Sequence, residues 1–337
     1  MTTTQESPAA PSRDREAAAA VAVPRGRVRM HLSVFVALIV AIAVSPLWVT
    51  NTDQWGLLNQ ALVYTVLAIG FYFVFGLSGQ FNFAHGGFFA IGAVVSGNVA
   101  GADNFWLGFV AGIVVSTVIG VAFRAALARV SAIYFAIATF ALSGIILLVV
   151  QNWEWLAGGF TGMSGLAAPT FFGKDLFLPE DMYWLYGGIT IVAVGLGILL
   201  EQSPLRRYVL VARDSRGILP TVGVNPRKIE LTMFGVGCAY AGAAGSMYAH
   251  MLGFVGGFSF SDSISLNVFL MVFLGGVSVM WGAVIGAVVL TWLPEVLREV
   301  TEHAQFLYAV ILVLVLMLLP KGLVGVTERV WKAIRRA

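Results

Sequence analysis

From Leu32 to Thr52 the chain runs LSVFVALIVAIAVSPLWVTNT without one charged residue, and comparable windows recur along most of its length. A helix of about 20 apolar residues crosses a ~30 Å hydrocarbon core. In that solvent every backbone N–H and C=O must find a partner inside the protein, which leaves helices or a closed barrel. Uninterrupted apolar runs, rather than alternating ones, select helices. Composition agrees: 59% of the residues are hydrophobic and 11% are charged, against roughly a quarter charged in soluble domains. The expected fold is an all-α, polytopic membrane bundle of about 8–10 transmembrane segments, with broken or re-entrant helices.

Hydropathy places spans near 31–50, 57–77, 84–102, 105–123, 132–151, 183–201 and 230–252, a long apolar stretch at 264–293, and a last span at 304–320. Lys and Arg stay on the cytoplasmic side of a membrane. They cluster in the N-terminal tail, at Arg124 and Arg129, in 202–229, and at the C-terminus. All four clusters fall on one side provided 264–293 crosses twice or re-enters, a broken double crossing being the expectation, and 18 of the 20 basic residues are then cytoplasmic. The glycines of LGGVSVMWGAVIGA (274–287) mark where that segment breaks, because glycine weakens a helix in mid-run. The resulting organisation is a disordered cytoplasmic tail at 1–29, a transmembrane domain at 30–322 and a basic cytoplasmic tail at 323–337. AAAAVAV at 17–23 is too short and wrongly flanked for a signal peptide. The main extracytoplasmic loop is 152–182, with Trp153, Trp155 and Trp184 at the interface level. Small residues at four-residue spacing, such as Gly92, Ser96 and Ala100 or Gly237, Ala241, Gly245 and Ala249, provide faces on which helix backbones approach closely.

One stretch breaks the apolar pattern. GLSGQFNFAHGGFFAIGA (76–93) places Ser78, Gln80, Asn82 and His85 between two spans. A solvated, capped turn is one reading. The other is a broken or re-entrant segment, because Phe81, Phe83, Phe88 and Phe89 make the stretch too aromatic for water. Its unwound backbone would then face protein or a water-filled cavity. Gly79, Gln80, Asn82, His85 and Gly86 are the candidate pathway or gate residues.

Chemistry of other kinds is missing from the pattern. No G-x-x-x-x-G-K-[ST] phosphate loop occurs, and His31, His85, His250 and His303 lack metal-ligand spacing. No catalytic residue and no metal site is expected, and Cys238 reads as a packing residue. The spans hold almost no carboxylates of the kind ion-coupled pumps require; Glu201 and Arg124 are placed at span ends, where they would snorkel to water. A pathway energised from elsewhere is what remains. Segment 202–229 could receive that energy: a basic amphipathic helix follows Pro204, with a break at Gly217 and Pro220 and a turn at Val224–Asn225–Pro226. A basic loop facing anionic lipid is the alternative.

Five pieces of the chain, in order, carry a resemblance. NQALVYTVLAIGFYFVFGLSGQFNFAHGGFFAIGA (59–93) holds a Gly-x-x-Gly-Gln-x-x-x-x-His segment, and IYFAIATFALSGIILLVVQNWEWLAGGFTGMSG (133–165) ends in a glycine-rich loop. GVNPRKIELTMFGVGCAYAGAAGSMYAH (223–250), LMVFLGGVSVMWGAVIGAVVLTWLPEVLR (270–298) and PKGLVG (320–325) complete the set. Over roughly 55–325 the chain resembles the permease subunits of branched-chain amino acid ABC importers, of the LivM type. The resemblance implies a bacterial plasma-membrane protein with no cofactor of its own, in which ATP and Mg²⁺ are used by partners. Those partners would be a second homologous permease, two cytoplasmic ATP-binding subunits and an extracytoplasmic substrate-binding protein. It places a coupling helix around Val211–Val224, with Arg213, Asp214, Gly223 and Asn225 as ATPase-coupling residues, where this chain reads RDSRGILPTVG. Gly159, Gly162 and Gly165 in the long outer loop would dock the binding protein. Urea and short-amide permeases are similar alternatives, and a stand-alone channel or facilitator is a third.

Overall fold

A computed structural model describes residues 25–325, apart from breaks at 102–103, 160, 172–173, 216, 218, 257–258, 262, 301–302 and 319–321. Eleven helices of ten residues or more are described: α1 (Arg25–Val44), α2 (Thr52–Phe71), α3 (His85–Ala100), α4 (Phe105–Ala126), α5 (Ala132–Asn152), α6 (Pro179–Gln202), α7 (Leu205–Asp214), α8 (Pro226–Leu252), α9 (Ser263–Gly275), α10 (Met280–Val300) and α11 (Ala304–Leu318). Six of these segments are long and apolar enough to cross a membrane. The 27-residue α8 and the shorter α3, α9 and α11 pack among them.

The helix ends follow local chemistry. Pro179 opens α6 with Glu180 and Asp181 in its first turn, acids that suit the positive end of the helix dipole. Asn225 caps α8: its Oδ1 accepts from Arg227 N at 3.0 Å, and Pro226 occupies the first helical position. At the other end α8 stops at Gly253, φ 63°, the left-handed conformation glycine takes most readily.

At the centre stands α2, flanked by α6, α8, α9 and α10. In the most apolar 18-residue window of its span, Thr52–Leu77, 83% of the residues are buried, against 11% for His31–Trp48 at the periphery. A second nucleus joins α3, α4 and α8. The backbones of Gly92, Gly112 and Gly242 meet so closely that a Cβ on any one of them would collide with another's backbone. Backbone contact of this kind replaces the hydrophobic driving force that lipid removes. The small-residue faces are thus used inside this chain.

The stretch expected to break does so: it forms two helices, of which Met280–Arg298 is long and apolar enough to span a membrane and Ser263–Gly275 is shorter. α9 ends at Gly275 and α10 begins at Met280, with Gly276 at φ 126° between them. With 13 residues, α9 is only ~20 Å long. It packs against α10 through Gly275, Gly282 and Gly286, positions where any Cβ would strike backbone.

Two faces emerge. One carries the ends of α2 and α4, helix α7, and the α9–α10 break; Gly322, at the start of the C-terminal segment, lies against Gly276. Two of the basic clusters, Arg124 with Arg129 and the 202–229 segment, meet there, and α1 brings His31 to the same level beside Glu201. The opposite face carries the long loop, in which a helical turn (Glu154–Ala157) precedes β1 (Met163–Ser164), β2 (Thr170–Phe171) and β3 (Lys174–Asp175). β1 pairs with β4 (Phe254–Val255), and β2 with β3. Trp153, Trp155 and Trp184 are exposed on this loop face.

Three expectations are corrected. No continuous helix runs from Val211 to Val224: α7 ends at Asp214, and only a 3-10 turn, Leu219–Val222, follows. Pro220 cannot donate its backbone nitrogen, and Gly217 offers no support for a helix in between. Arg124 and Glu201 do not snorkel, since both are buried with partners. Glu201 accepts from Tyr72 and lies 3.3 Å from His31 Nε2, while Trp281 Nε1 donates to His31 Nδ1 at 3.0 Å. Finally, α1 begins at Arg25, inside the segment expected as a tail; residues 1–24 and 326–337 lie outside the described residues.

Candidate functional site

The site is built where α2 fails. After Phe71 its backbone widens into a π-helical turn, Tyr72–Leu77, and stops at Gly79, φ 71°. π-turns of this kind are commonly found at functional sites. The chain then climbs back into the bundle without regular structure until His85 starts α3. His85 Nε2 donates to Leu67 O at 3.1 Å, so α3 begins beside a residue ten positions up α2 from Leu77. The segment is re-entrant.

Its backbone and side-chain polar groups are met by four other helices, α4, α5, α8 and α9, as an apolar surround requires. Thr139 Oγ1 on α5 accepts from Phe83 N at 3.1 Å, and Ser265 Oγ on α9 accepts from Gly86 N at 2.8 Å. Asn82 Oδ1 accepts from Ala84 N at 3.0 Å. Gln80 Nε2 donates to Ser78 Oγ at 2.7 Å and to Glu230 O at 3.1 Å. Gln80 Oε1 in turn accepts from Arg124 Nε at 2.7 Å, and Arg124 Nη2 lies 2.5 Å from Glu230 Oε2. The guanidinium also sits 4.7 Å over the Phe135 ring. Gly79, Gln80, Asn82, His85 and Gly86 therefore belong to one clamped structure, and all but Gly79 are buried.

The same structure leaves several polar atoms unmet. Asn82 Nδ2, His85 Nδ1 and Ser143 Oγ are buried without a hydrogen-bond partner. An aromatic cluster borders the segment: Phe83 lies 6.4 Å from Phe269 and 6.5 Å from Phe140, and Phe75 lies 5.3 Å from Phe269.

Helix α7 grips this region from outside. Arg213 Nη1 donates to Gly76 O at 2.8 Å, and the aliphatic part of Arg213 covers Gly79. Asp214 is exposed at the end of α7, and Gly223 (φ 74°) and Asn225 lie at the entry to α8. The four coupling candidates are thus split: Arg213 touches the break, whereas Asn225 is a helix cap. Gly159, Gly162 and Gly165 are on the loop face, all with positive φ. Gly162 packs against Phe254 and Gly256, so its part of the loop is fixed to the end of α8. Beneath it Ser96 donates to His250 Nε2 at 2.9 Å, and His250 Nδ1 donates to Ala167 O at 2.7 Å.

Sequence reasoning missed Thr139, Ser143, Glu230 and Ser265, and misplaced Arg124. One signal pointed to the pair: in so charge-poor a chain, an acid one turn inside α8 and a base one turn inside α4 each need a counter-charge. An apolar cavity of about 660 Å³ between α4, α6 and α8 was not foreseen either. Val66, Phe109, Ile189 and Tyr240 are among its lining residues, and no candidate site residue reaches it.

Broken helices, a buried re-entrant segment and basic residues gathered on one face define a multi-pass helical membrane protein. The chain belongs to the family described as the branched-chain amino acid transport system permease component, whose model matches residues 55–319. It is 27% identical to the high-affinity branched-chain amino acid transport system permease protein LivM of Salmonella typhimurium, over 88% of this chain and 75% of that protein. The LivH permease of the same transport system in Escherichia coli is 26% identical over 79% of this chain and 92% of its own. The ribose import permease protein RbsC of Escherichia coli is 24% identical over 84% and 91%. No solved structure matches the chain.

Proposed function

We infer that this chain is a permease subunit of an ATP-driven importer for branched-chain amino acids and forms half of the translocation pathway across a bacterial plasma membrane. In this reading the basic face is cytoplasmic, as the distribution of Lys and Arg favours. A second, similar permease completes the pathway, two ATP-binding subunits act at α7, and a substrate-binding protein docks on the loop face around Gly159, Gly162 and Gly165. The family match supports the class of protein, and one contact carries the mechanism: Arg213 of α7 holds the carbonyl of Gly76 where α2 breaks.

That contact gives a short mechanical route. A partner that pushes α7 pulls on Gly76 and Gly79, and Gln80 passes the displacement to Arg124 on α4 and Glu230 on α8. Re-entrant backbone can move without breaking a spanning helix, so the segment suits a gate.

The test is uptake by the complete importer in proteoliposomes. Leucine uptake should require ATP and binding protein, and Arg213→Ala with Asp214→Ala should abolish most of the substrate-stimulated ATP turnover. Unchanged stimulation in the double variant would sink the coupling route. Leucine flux through the isolated chain without ATP would instead make it a facilitator.

A further inference from the structure

The three unmet polar atoms bear on what passes the gate. Asn82 and Ser143 are each 1% exposed and His85 is fully buried, yet Asn82 Nδ2, Ser143 Oγ and His85 Nδ1 have no partner. A buried polar atom left unpaired costs roughly 1–3 kcal/mol, so several flanking one helix turn mark a position kept open for something else. They surround the first turn of α3. Asn82 adjoins that turn and caps the Ala84 amide. Ser143 lies on the face of α5 that meets it, between Thr139, bonded to Phe83 N, and Ile146, which packs on Gly87.

This 16-residue helix starts within the bundle and has no side-chain cap at Ala84. One first-turn amide, Gly86 N, is met by the neutral hydroxyl of Ser265, and the turn still presents the positive end of a helix dipole in a dry setting, where it attracts anions strongly. Nearby charge does not cancel it, because Arg124 and Glu230 are paired with each other. The donors Asn82 Nδ2 and Ser143 Oγ add to the same field. His85 Nδ1, an acceptor because Nε2 donates to Leu67, is of the kind an ammonium group takes. The rings of Phe83, Phe140 and Phe269 lie beside them.

We propose that the first turn of α3, with Asn82 Nδ2 and Ser143 Oγ, is a carboxylate station on the translocation route, where an amino acid with an apolar side chain pauses as the gate moves. The station rests on the importer reading and specifies which part of the substrate this chain itself recognises. In the present structure α5 covers it. α5 packs mainly on α3 and exposes its remaining face, so its displacement would uncover Ser143.

Two measurements on the complete importer test it. In uptake assays with leucine at saturating binding protein, Ser143→Ala should slow transport about tenfold, equivalent to about 1.4 kcal/mol. Asn82→Asp, which keeps the oxygen that caps Ala84 but turns the donor into an anion, should slow it further. Ser143→Ala should assemble with unchanged melting temperature, and wild-type rates in both variants, or in Ser143→Ala alone, would overturn the station. The second readout separates recognition from structure. A Ser143→Cys importer is labelled with a small thiosulfonate during turnover, with Cys238 buried and silent. Leucine and 4-methylpentanoate should slow labelling, and 3-methylbutylamine, which lacks the carboxylate, should not. Equal protection by all three, protection by none, or no labelling at all overturns the proposal. If the wild-type importer takes up no leucine while 4-methylpentanoate still protects, the branched-chain reading fails and the station stands.

Discussion

Two helix breaks lie side by side on the basic face, where Gly76 of the first touches the carbonyl of Val277 in the second. They solve one problem differently. Between α9 and α10 the chain turns in four residues and closes its bonds locally: Gly276 N to Val272 O, Val279 N to Gly276 O, and Gly282 N to Val279 O. Glycines then let the two helices touch. Between the π-turn that ends α2 and the start of α3 the chain takes seven residues, and the polar groups of this break reach Arg124, Thr139, Glu230 and Ser265 on four other helices. A locally closed turn moves as a unit with its helices. A turn whose bonds are spread over its neighbours changes whenever those neighbours shift, which is what a gate needs and a hairpin avoids.

If that difference is real, the two breaks should fail in different ways. Arg124→Ala should have the largest effect, leaving Glu230 buried without its counter-charge at a cost of about 3–5 kcal/mol. Replacing the pair together, Arg124→Met with Glu230→Leu, should restore most of the melting temperature but not transport; recovery of both would mean the network is structural only. Gly286→Val should come next, at about 1–3 kcal/mol from overpacking against the Met271 carbonyl. It should lower the yield of monodisperse protein, while transport per folded molecule stays near wild type. Thr139→Val should be smallest, about 1 kcal/mol for one lost bond to Phe83 N. It should nevertheless change transport more than its modest shift in melting temperature suggests. Equal transport defects in the Gly286 and Thr139 variants would erase the distinction between the two breaks.

Much of this was legible in the residues themselves. Spans announce their length in uncharged runs, the α9–α10 break shows in its glycines, and the crowding of Ser78, Gln80, Asn82 and His85 among aromatics marks a re-entrant segment. What stayed hidden depends on which helices are neighbours. Nothing near Arg124 in sequence reveals Glu230, 106 positions away, and His31 meets Glu201 only because α1 packs on α6. The helix expected around Val211–Val224 stops at Asp214 for a local reason, the interruption by Gly217 and Pro220, and no sequence pattern shows that the Arg213 side chain turns inward to Gly76. A helix pattern gives the face a residue occupies and not what waits there.

The meeting point of Gly92, Gly112 and Gly242 also governs how the protein is made. The first two glycines leave the ribosome about 130 residues before the third, roughly ten seconds at ordinary synthesis rates of about 5–20 residues per second. During that interval α3 and α4 sit in the bilayer with their closest partner still unmade, and the polar faces of Ser96 and Ser116 have no α8 to cover them. Insertion therefore has to shelter an unfinished pair of helices, so slowing translation between the two, or removing whatever holds them, should hurt this chain more than one whose neighbours follow each other in sequence.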